Sequence, residues 1–174
     1  MDLDLDIATA TVDRIWDESA LPALVDYIRI PAKSPAYDAD WADHGHLADA
    51  VELVAEWCRS RDLPGATVEV HELVGRTPVV LVEVPAHDAG DPEDTVLLYG
   101  HLDKQPELTG WRDGLGPWTP VLEDDRLYGR GGADDGYSAF AALSALEAVH
   151  AAGGAHRRCL VLIEASEESG SPDL

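Results

Sequence analysis

The chain has 174 residues and a formal net charge of -22, from 34 acidic and 12 basic side chains, and 45% of its residues are hydrophobic. This length and hydrophobic content predict a single globular domain. The acidic excess argues against nucleic acid and anionic membrane surfaces as partners, because both would repel the protein. The sequence has neither an apolar run of roughly 20 residues nor the basic start of a signal peptide, so we expect a cytoplasmic protein.

Predicted helices and strands alternate along the chain. Apolar residues at helical spacing predict a helix over residues 6–29, with a break near Pro22, and a second helix from about His46 to Arg61. Three strand-like segments, ATVEVHEL, PVVLVEVP and TVLLYGHLD, follow, and VLEDDRLYG is predicted to form a hairpin. A helix over residues 137–152 and a buried strand in CLVLIEA complete the order. This alternation predicts a three-layer α/β/α domain.

The predicted strand TVLLYGHLD ends in two polar residues, His101 and Asp103. They are two positions apart, so both side chains leave the same face of the sheet. A metal-bound imidazole usually donates its other N–H to a carboxylate or a carbonyl, and Asp103 could orient His101 in this way. The alternative is a polar strand end with a surface His–Asp contact.

Two adjacent aspartates, Asp134 and Asp135, follow the glycine-rich turn in GRGGADDG and open an alanine-rich helix. One aspartate would be enough to cap that helix. A phosphate group would be repelled by both carboxylates, so a cation is the more natural ligand of this turn. The alternative is a capping turn without a ligand.

A second acidic pair, Glu167 and Glu168, follows the buried strand CLVLIEA. Adjacent carboxylates repel each other when buried, unless a positive group holds them, and the alternative is a solvated acidic turn. Functional groups of parallel α/β sheets gather at the carboxyl ends of the strands. We therefore expect His101 and Glu167 at one sheet edge, with Asp134 opening the helix between the two strands.

Three motifs, GHLDKQP, YGRGGADDG and IEASEESGS, occur in this order and together resemble the metal-site motifs of the co-catalytic zinc metallopeptidases. That family includes carnosinase-like dipeptidases, glutamate carboxypeptidase, acetylornithine deacetylase and succinyl-diaminopimelate desuccinylase. The resemblance implies that His101 binds one metal ion, Asp134 bridges two ions and Glu168 binds the second. It also implies that Glu167 is the general base, that Asp103 is the partner of His101, and that the peptide bond after Asp134 is cis.

The resemblance further implies a hydrolase that cleaves the amide bond of dipeptides or N-acyl amino acids. Two Zn²⁺ ions, or Mn²⁺ or Co²⁺ in their place, would hold a bridging water that Glu167 deprotonates. Gly136 and Tyr137 stand where the family commonly has a lysine, which leaves the substrate preference open. The alternative function is a non-catalytic metal-binding or interaction domain.

Family members are substantially longer than 174 residues. We therefore expect residues 1–174 to be the N-terminal part of a metallopeptidase catalytic domain. The resemblance places the remaining metal ligands, and a lid or dimerisation domain that would form a homodimer, outside these residues. We accordingly expect the 174 residues alone to hydrolyse peptides poorly.

The net charge of -22 yields a first testable prediction. Raising NaCl from about 0.1 to 1 M shortens the Debye length from about 10 to 3 Å and weakens the repulsion among surface carboxylates. The melting temperature should therefore rise over this range, as measured by circular dichroism. KCl at equal ionic strength should act alike, and a flat melting temperature would contradict the prediction.

Overall fold

The chain folds into a four-stranded mixed sheet with helices against it and a separate two-stranded sheet, in a computed structural model that describes residues 3–88 and 94–174. The helices are α1 (Leu5–Ile15), α2 (Leu21–Arg29), α3 (Trp41–His44), α4 (His46–Arg59) and α5 (Ser138–Ala151). Shorter helical turns lie at Trp16–Ala20, Pro35–Tyr37 and Glu167–Ser169. The strands are β1 (Thr67–His71), β2 (Val79–Val84), β3 (Thr95–His101), β4 (Val121–Glu123), β5 (Arg126–Tyr128) and β6 (Arg158–Glu164). The predicted α/β class is confirmed.

Most of the predicted helices and strands are present. The helix predicted over residues 6–29 is α1 and α2 joined by a π-helical turn, and Pro22 directly follows that turn, near the predicted break. The predicted hairpin is β4 and β5, and its turn residues Asp124 and Asp125 have φ of 47° and 62°, as a two-residue type I′ turn requires. The short helix α3 lies in a segment without a clear helical pattern.

Four strands form the main sheet, in the order β1-β2-β6-β3. β3 runs parallel to β6, with His101 opposite Glu164, whereas β1 and β2 are antiparallel to their neighbours. Parallel neighbours end at the same sheet edge, so the segments that follow β3 and β6 emerge side by side. This one parallel pair positions the polar motifs.

The hydrophobic core lies between the sheet and the helices α4 and α5. Alternate residues of β2 and β6 are buried, and they pack against apolar residues of both helices in one cluster. On the opposite face, Leu97 and Tyr99 of β3 are exposed. The described residues thus supply the sheet and the helical layer on one of its faces. None of the helices within residues 3–88 and 94–174 is both long and apolar enough to span a membrane.

A fully buried lysine, Lys104, connects α2 to the segment that follows β3. Its ammonium donates hydrogen bonds to the carbonyl oxygens of Tyr27, at 2.8 Å, and Ile30, at 2.7 Å, and lies 3.9 Å from the centre of the Tyr27 ring. These carbonyls belong to the C-terminal end of α2, where backbone acceptors lack partners within the helix. Burial lowers the pKa of Lys104 to about 7, whereas the carbonyl groups favour its charged form.

The glycine-rich loop before α5 also passes close to the side chain of Lys104. A Cβ added at Gly131, which has φ of 86°, would lie 2.7 Å from Cε of Lys104. The loop can therefore pass close to the lysine only with glycine at this position. Lys104 thus holds the end of α2 against the strand end, and the loop before α5 packs against its side chain.

Replacing Lys104 by methionine should lower the free energy of unfolding by about 2–4 kcal/mol, because the buried carbonyl groups of Tyr27 and Ile30 lose a charged donor while the side-chain volume is kept. Each carbonyl group then keeps only its backbone N–H partner. Urea denaturation measures this change. Lys33→Met is the matched control, since Lys33 makes only a partly exposed ion pair with Glu107 and should change stability by about 1 kcal/mol or less. Equal losses in the two variants would contradict the role of Lys104.

Candidate metal centre

The polar motifs meet at the edge where β3 and β6 end. His101 is the last residue of β3, and Glu167 and Glu168 lie in the helical turn after β6. Asp134 comes from the loop before α5. Because β3 and β6 are parallel neighbours, three segments distant in sequence converge on this edge.

His101, Asp134 and Glu168 form a cluster that could hold a metal ion. One ligand atom of each residue lies within 4.8 Å of the other two, and Nε2 of His101 is 3.4 Å from Oδ1 of Asp134. An imidazole nitrogen with two carboxylate oxygens is a donor set that zinc accepts. The residues present therefore fit a zinc ion.

The ring of His101 is oriented by Asp103. Nδ1 of His101 lies 3.1 Å from the backbone oxygen of Asp103 and 3.4 Å from its carboxylate. A carbonyl oxygen only accepts, so Nδ1 carries the hydrogen and Nε2 points towards Asp134. The sequence predicts that the side chain of Asp103 contacts His101. The structure shows a second contact, from the backbone carbonyl of Asp103.

The charges around His101 favour a positive group at this position. Burial lowers the pKa of His101, but the hydrogen bond to Asp103 and the charges of Asp103 and Glu167 outweigh it and raise this pKa to about 9. The carboxylates thus hold a proton on the imidazole, and a bound ion would replace that proton.

The carboxylate of Asp103 is fully buried and binds the second acidic motif through its backbone. Its two oxygens accept the N–H groups of Glu167, at 3.1 Å, and Glu168, at 3.0 Å. Burial raises the pKa of Asp103, but the hydrogen bonds from His101, Ser34 and Glu168 lower it by more. Asp103 therefore fixes the end of β3 and the turn after β6 relative to each other.

The two glutamates differ in their surroundings. The side chain of Glu167 is 42% exposed, and its Oε2 lies 3.7 Å from Nε2 of His101. Glu168 accepts a hydrogen bond from the side chain of Gln105, and its pKa is raised by burial and by Asp134. No role is predicted for Gln105 from the sequence. Its position in the motif GHLDKQP is the sequence feature that could have indicated one.

Asp135 points away from the cluster. Its Oδ2 lies 3.3 Å from the backbone nitrogen of His101, which donates to it, and the peptide bond between Asp134 and Asp135 is cis, as the resemblance implied. A Cβ added at Gly100 would lie 2.7 Å from this carboxylate oxygen and 2.5 Å from Cβ of Ser138. Glycine at position 100 therefore allows the start of α5 to approach β3.

Residues 97–174 match the family model of peptidase family M20/M25/M40. This part of the chain is similar to the M20 peptidases. The chain is 37% identical over 117 residues to succinyl-diaminopimelate desuccinylase of Verminephrobacter eiseniae, covering 65% of this chain and 28% of that relative. It is 33% identical over 130 residues to cysteinylglycine-S-conjugate dipeptidase of Corynebacterium striatum, covering 72% of this chain and 27% of the relative. The chain thus spans less than a third of the length of these curated relatives.

Solved structures agree with the fold. Human carnosine dipeptidase 1 has a TM-score of 0.69 at 26% identity, covering 97% of this chain and 36% of that chain. The dipeptidase Dug1p of Saccharomyces cerevisiae has a TM-score of 0.74 at 24% identity, covering 99% of this chain and 36% of that chain. The resemblance to metallopeptidases that the motifs indicate is therefore confirmed.

Asp103→Asn tests the connection between the two motifs. Asparagine has one acceptor oxygen, so one of the two N–H groups would lose its partner, and the free energy of unfolding should fall by about 1–3 kcal/mol. Zinc affinity should fall about 10–100-fold, because His101 and Glu168 lose their common support. Urea denaturation and zinc titration measure the two effects.

The matched control is Asp113→Asn, because Asp113 is exposed and should change stability by less than about 0.5 kcal/mol. If Asp103→Asn had the same stability and zinc affinity as this control, the position of the turn after β6 would not depend on Asp103.

Proposed function

We propose that this chain carries the metal-binding and proton-transfer residues of a hydrolase that cleaves the amide bond of dipeptides or N-acyl amino acids. The observation that carries the proposal is the cluster of His101, Asp134 and Glu168, whose ligand atoms lie within 4.8 Å of one another, with Glu167 beside it. The relatives, which are named as a desuccinylase and as dipeptidases, support this reaction class. Because all of them are enzymes, the non-catalytic alternative is not favoured.

His101, Asp134 and Glu168 would hold zinc, with Mn²⁺ or Co²⁺ as alternatives. The side chain of Asp134 is 65% exposed, so its second oxygen remains accessible and could be shared with a second ion. When bound, such ions lower the pKa of a water molecule and polarise the carbonyl group that is to be cleaved.

Glu167 is suited to be the general base. Its carboxylate borders the cluster, but Glu168 already supplies a ligand from the same turn, so Glu167 is free to accept a proton. It would take this proton from the attacking water as the water oxygen bonds to the carbonyl carbon. The same carboxylate would then return the proton to the amine nitrogen as the C–N bond breaks.

The backbone contacts to Asp103 would keep these roles separate. Asp103 holds the N–H groups of both glutamates at 3.0 to 3.1 Å, which fixes the turn from which the two side chains diverge. Gln105 donates to the carboxylate of Glu168 and so restrains its orientation. The base and the ligand would therefore keep distinct positions, although they are neighbours in sequence.

Substitutions of the two glutamates separate the two roles. Glu167→Gln should lower turnover by at least about 10²-fold and leave the metal content unchanged, because it removes the base and keeps the ligands. Glu168→Gln should instead lower the metal content, because it removes a ligand. Initial rates on a panel of dipeptides and N-acyl amino acids, with metal analysis, would be measured on the full-length gene product.

Glu69→Gln provides the control, since Glu69 is an exposed residue of β1, and it should change neither rate nor metal content. Loss of metal in Glu167→Gln with metal retained in Glu168→Gln would reverse the two assignments. Full activity of both variants would overturn the proposed function.

A further inference from the structure

A stack of three histidines lies at the opposite end of β6 from the candidate metal centre. His87 follows β2, His150 is in the last turn of α5, and His156 lies two residues before β6. The ring centres of His87 and His150 are 3.9 Å apart, and those of His150 and His156 are 4.8 Å apart. All three residues are partly buried. The proposed hydrolase mechanism uses none of them.

Backbone pairing brings two of these histidines together. The N–H of each of His87 and His156 donates to the carbonyl oxygen of the other, at 2.9 Å in both directions. The third, His150, is held by the last turn of α5. The stack therefore rests on regular hydrogen bonding and does not depend on the side chains alone.

The side-chain nitrogens of His150 and His156 converge on one point. Their Nε2 atoms are 2.6 Å apart, and Nδ1 of His156 lies 2.7 Å from the backbone oxygen of Arg157. Because that oxygen only accepts, Nδ1 of His156 carries a hydrogen, and its Nε2 has a lone pair in the neutral ring. The short contact between the two Nε2 atoms therefore contains a proton, which His150 donates.

We propose that His150 and His156 form a second metal site, which takes a divalent transition-metal ion such as Cu²⁺ or Zn²⁺. The ion takes the place of the proton between the two Nε2 atoms, and the neutral ring of His150 keeps its single hydrogen, which moves through water from Nε2 to Nδ1. Neutral imidazole is a preferred ligand of these ions. The hydrogen bond from Nδ1 of His156 to a backbone carbonyl is the outer contact that metal-bound histidines usually make.

The surroundings favour neutral rings and a cation between them. Burial and the neighbouring His87 and His156 lower the pKa of His150, which favours its ligand form. The negative charges of Asp62 and Asp88 act to raise the pKa of His150. They would therefore also attract a bound cation. At metal–nitrogen distances of about 2.0–2.1 Å, the two Nε2 atoms would move apart to about 3.3 Å.

This site is separate from the candidate metal centre. His156 precedes β6, whereas Glu167 and Glu168 follow it. A strand of seven residues is about 23 Å long, so an ion at one end cannot share ligands with an ion at the other. The proposal therefore does not depend on the proposed hydrolase activity.

Electron paramagnetic resonance with Cu²⁺ on the full chain tests this site, because the spectrum reports the number of coordinated imidazole nitrogens. We expect a two-nitrogen signal in the wild type that is lost in His150→Gln and in His156→Gln, with Cu²⁺ binding weakened at least about tenfold. The signal should persist in His101→Gln, which alters the candidate metal centre. It should also persist in the control His71→Gln, since His71 is an exposed residue of β1.

Circular dichroism would verify the fold of each variant. A second test, which follows the ¹⁵N resonances of the histidine rings by NMR, uses only the wild-type chain. On the wild-type chain, Zn²⁺ should shift the Nε2 resonances of both His150 and His156. The proposal would be overturned by a two-nitrogen signal that survives in either folded variant or disappears in His101→Gln. Unchanged ¹⁵N resonances of both rings under saturating Zn²⁺ would also overturn it.

Discussion

The carboxylate of Asp103 is fully buried, and it joins the end of β3 to the turn after β6. Removing a carboxylate from water is costly unless hydrogen bonds and positive charge replace the lost hydration. Here the N–H groups of Glu167 and Glu168 and the imidazole of His101 provide that replacement. The positions of the segments that carry His101 and Glu168 therefore depend on the same charge. A shift of the turn after β6 would leave this charge without its donors.

The sheet needs only one parallel pair to bring these segments together. β3 and β6 run side by side, so the residues after both strands emerge at the same edge, while the antiparallel β1 and β2 extend the sheet on the far side of β6. The start of α5 then closes the site from the loop before it. Gly100 makes that approach feasible, because a side chain at this position would collide with Asp135 and Ser138.

The sequence predicts those features whose signal is local. Helical periodicity predicts α4, and the alanine-rich segment that ends at Gly153 and Gly154 predicts α5. The paired aspartates at positions 124 and 125 predict the hairpin turn, which the structure confirms. The direction of β2 could not be predicted, because alternating apolar residues specify which face is buried but not which way a strand runs. The contact of Lys104 with the end of α2 and the stack formed by His87, His150 and His156 join distant segments. No local pattern reports such contacts.

The supports of the candidate metal centre lie outside its ligand set. Asp103 and Gln105 hold the turn after β6, and Lys104 holds the end of α2 and packs against the glycine-rich loop. The ligand atoms of His101, Asp134 and Glu168 make up the cluster itself. In many small metal-binding domains the ion organises the fold, and the unloaded chain is unfolded. Here the polar network and the core already place the three side chains near one another. An ion held by these side chains would also relieve the repulsion between the carboxylates of Asp134 and Glu168.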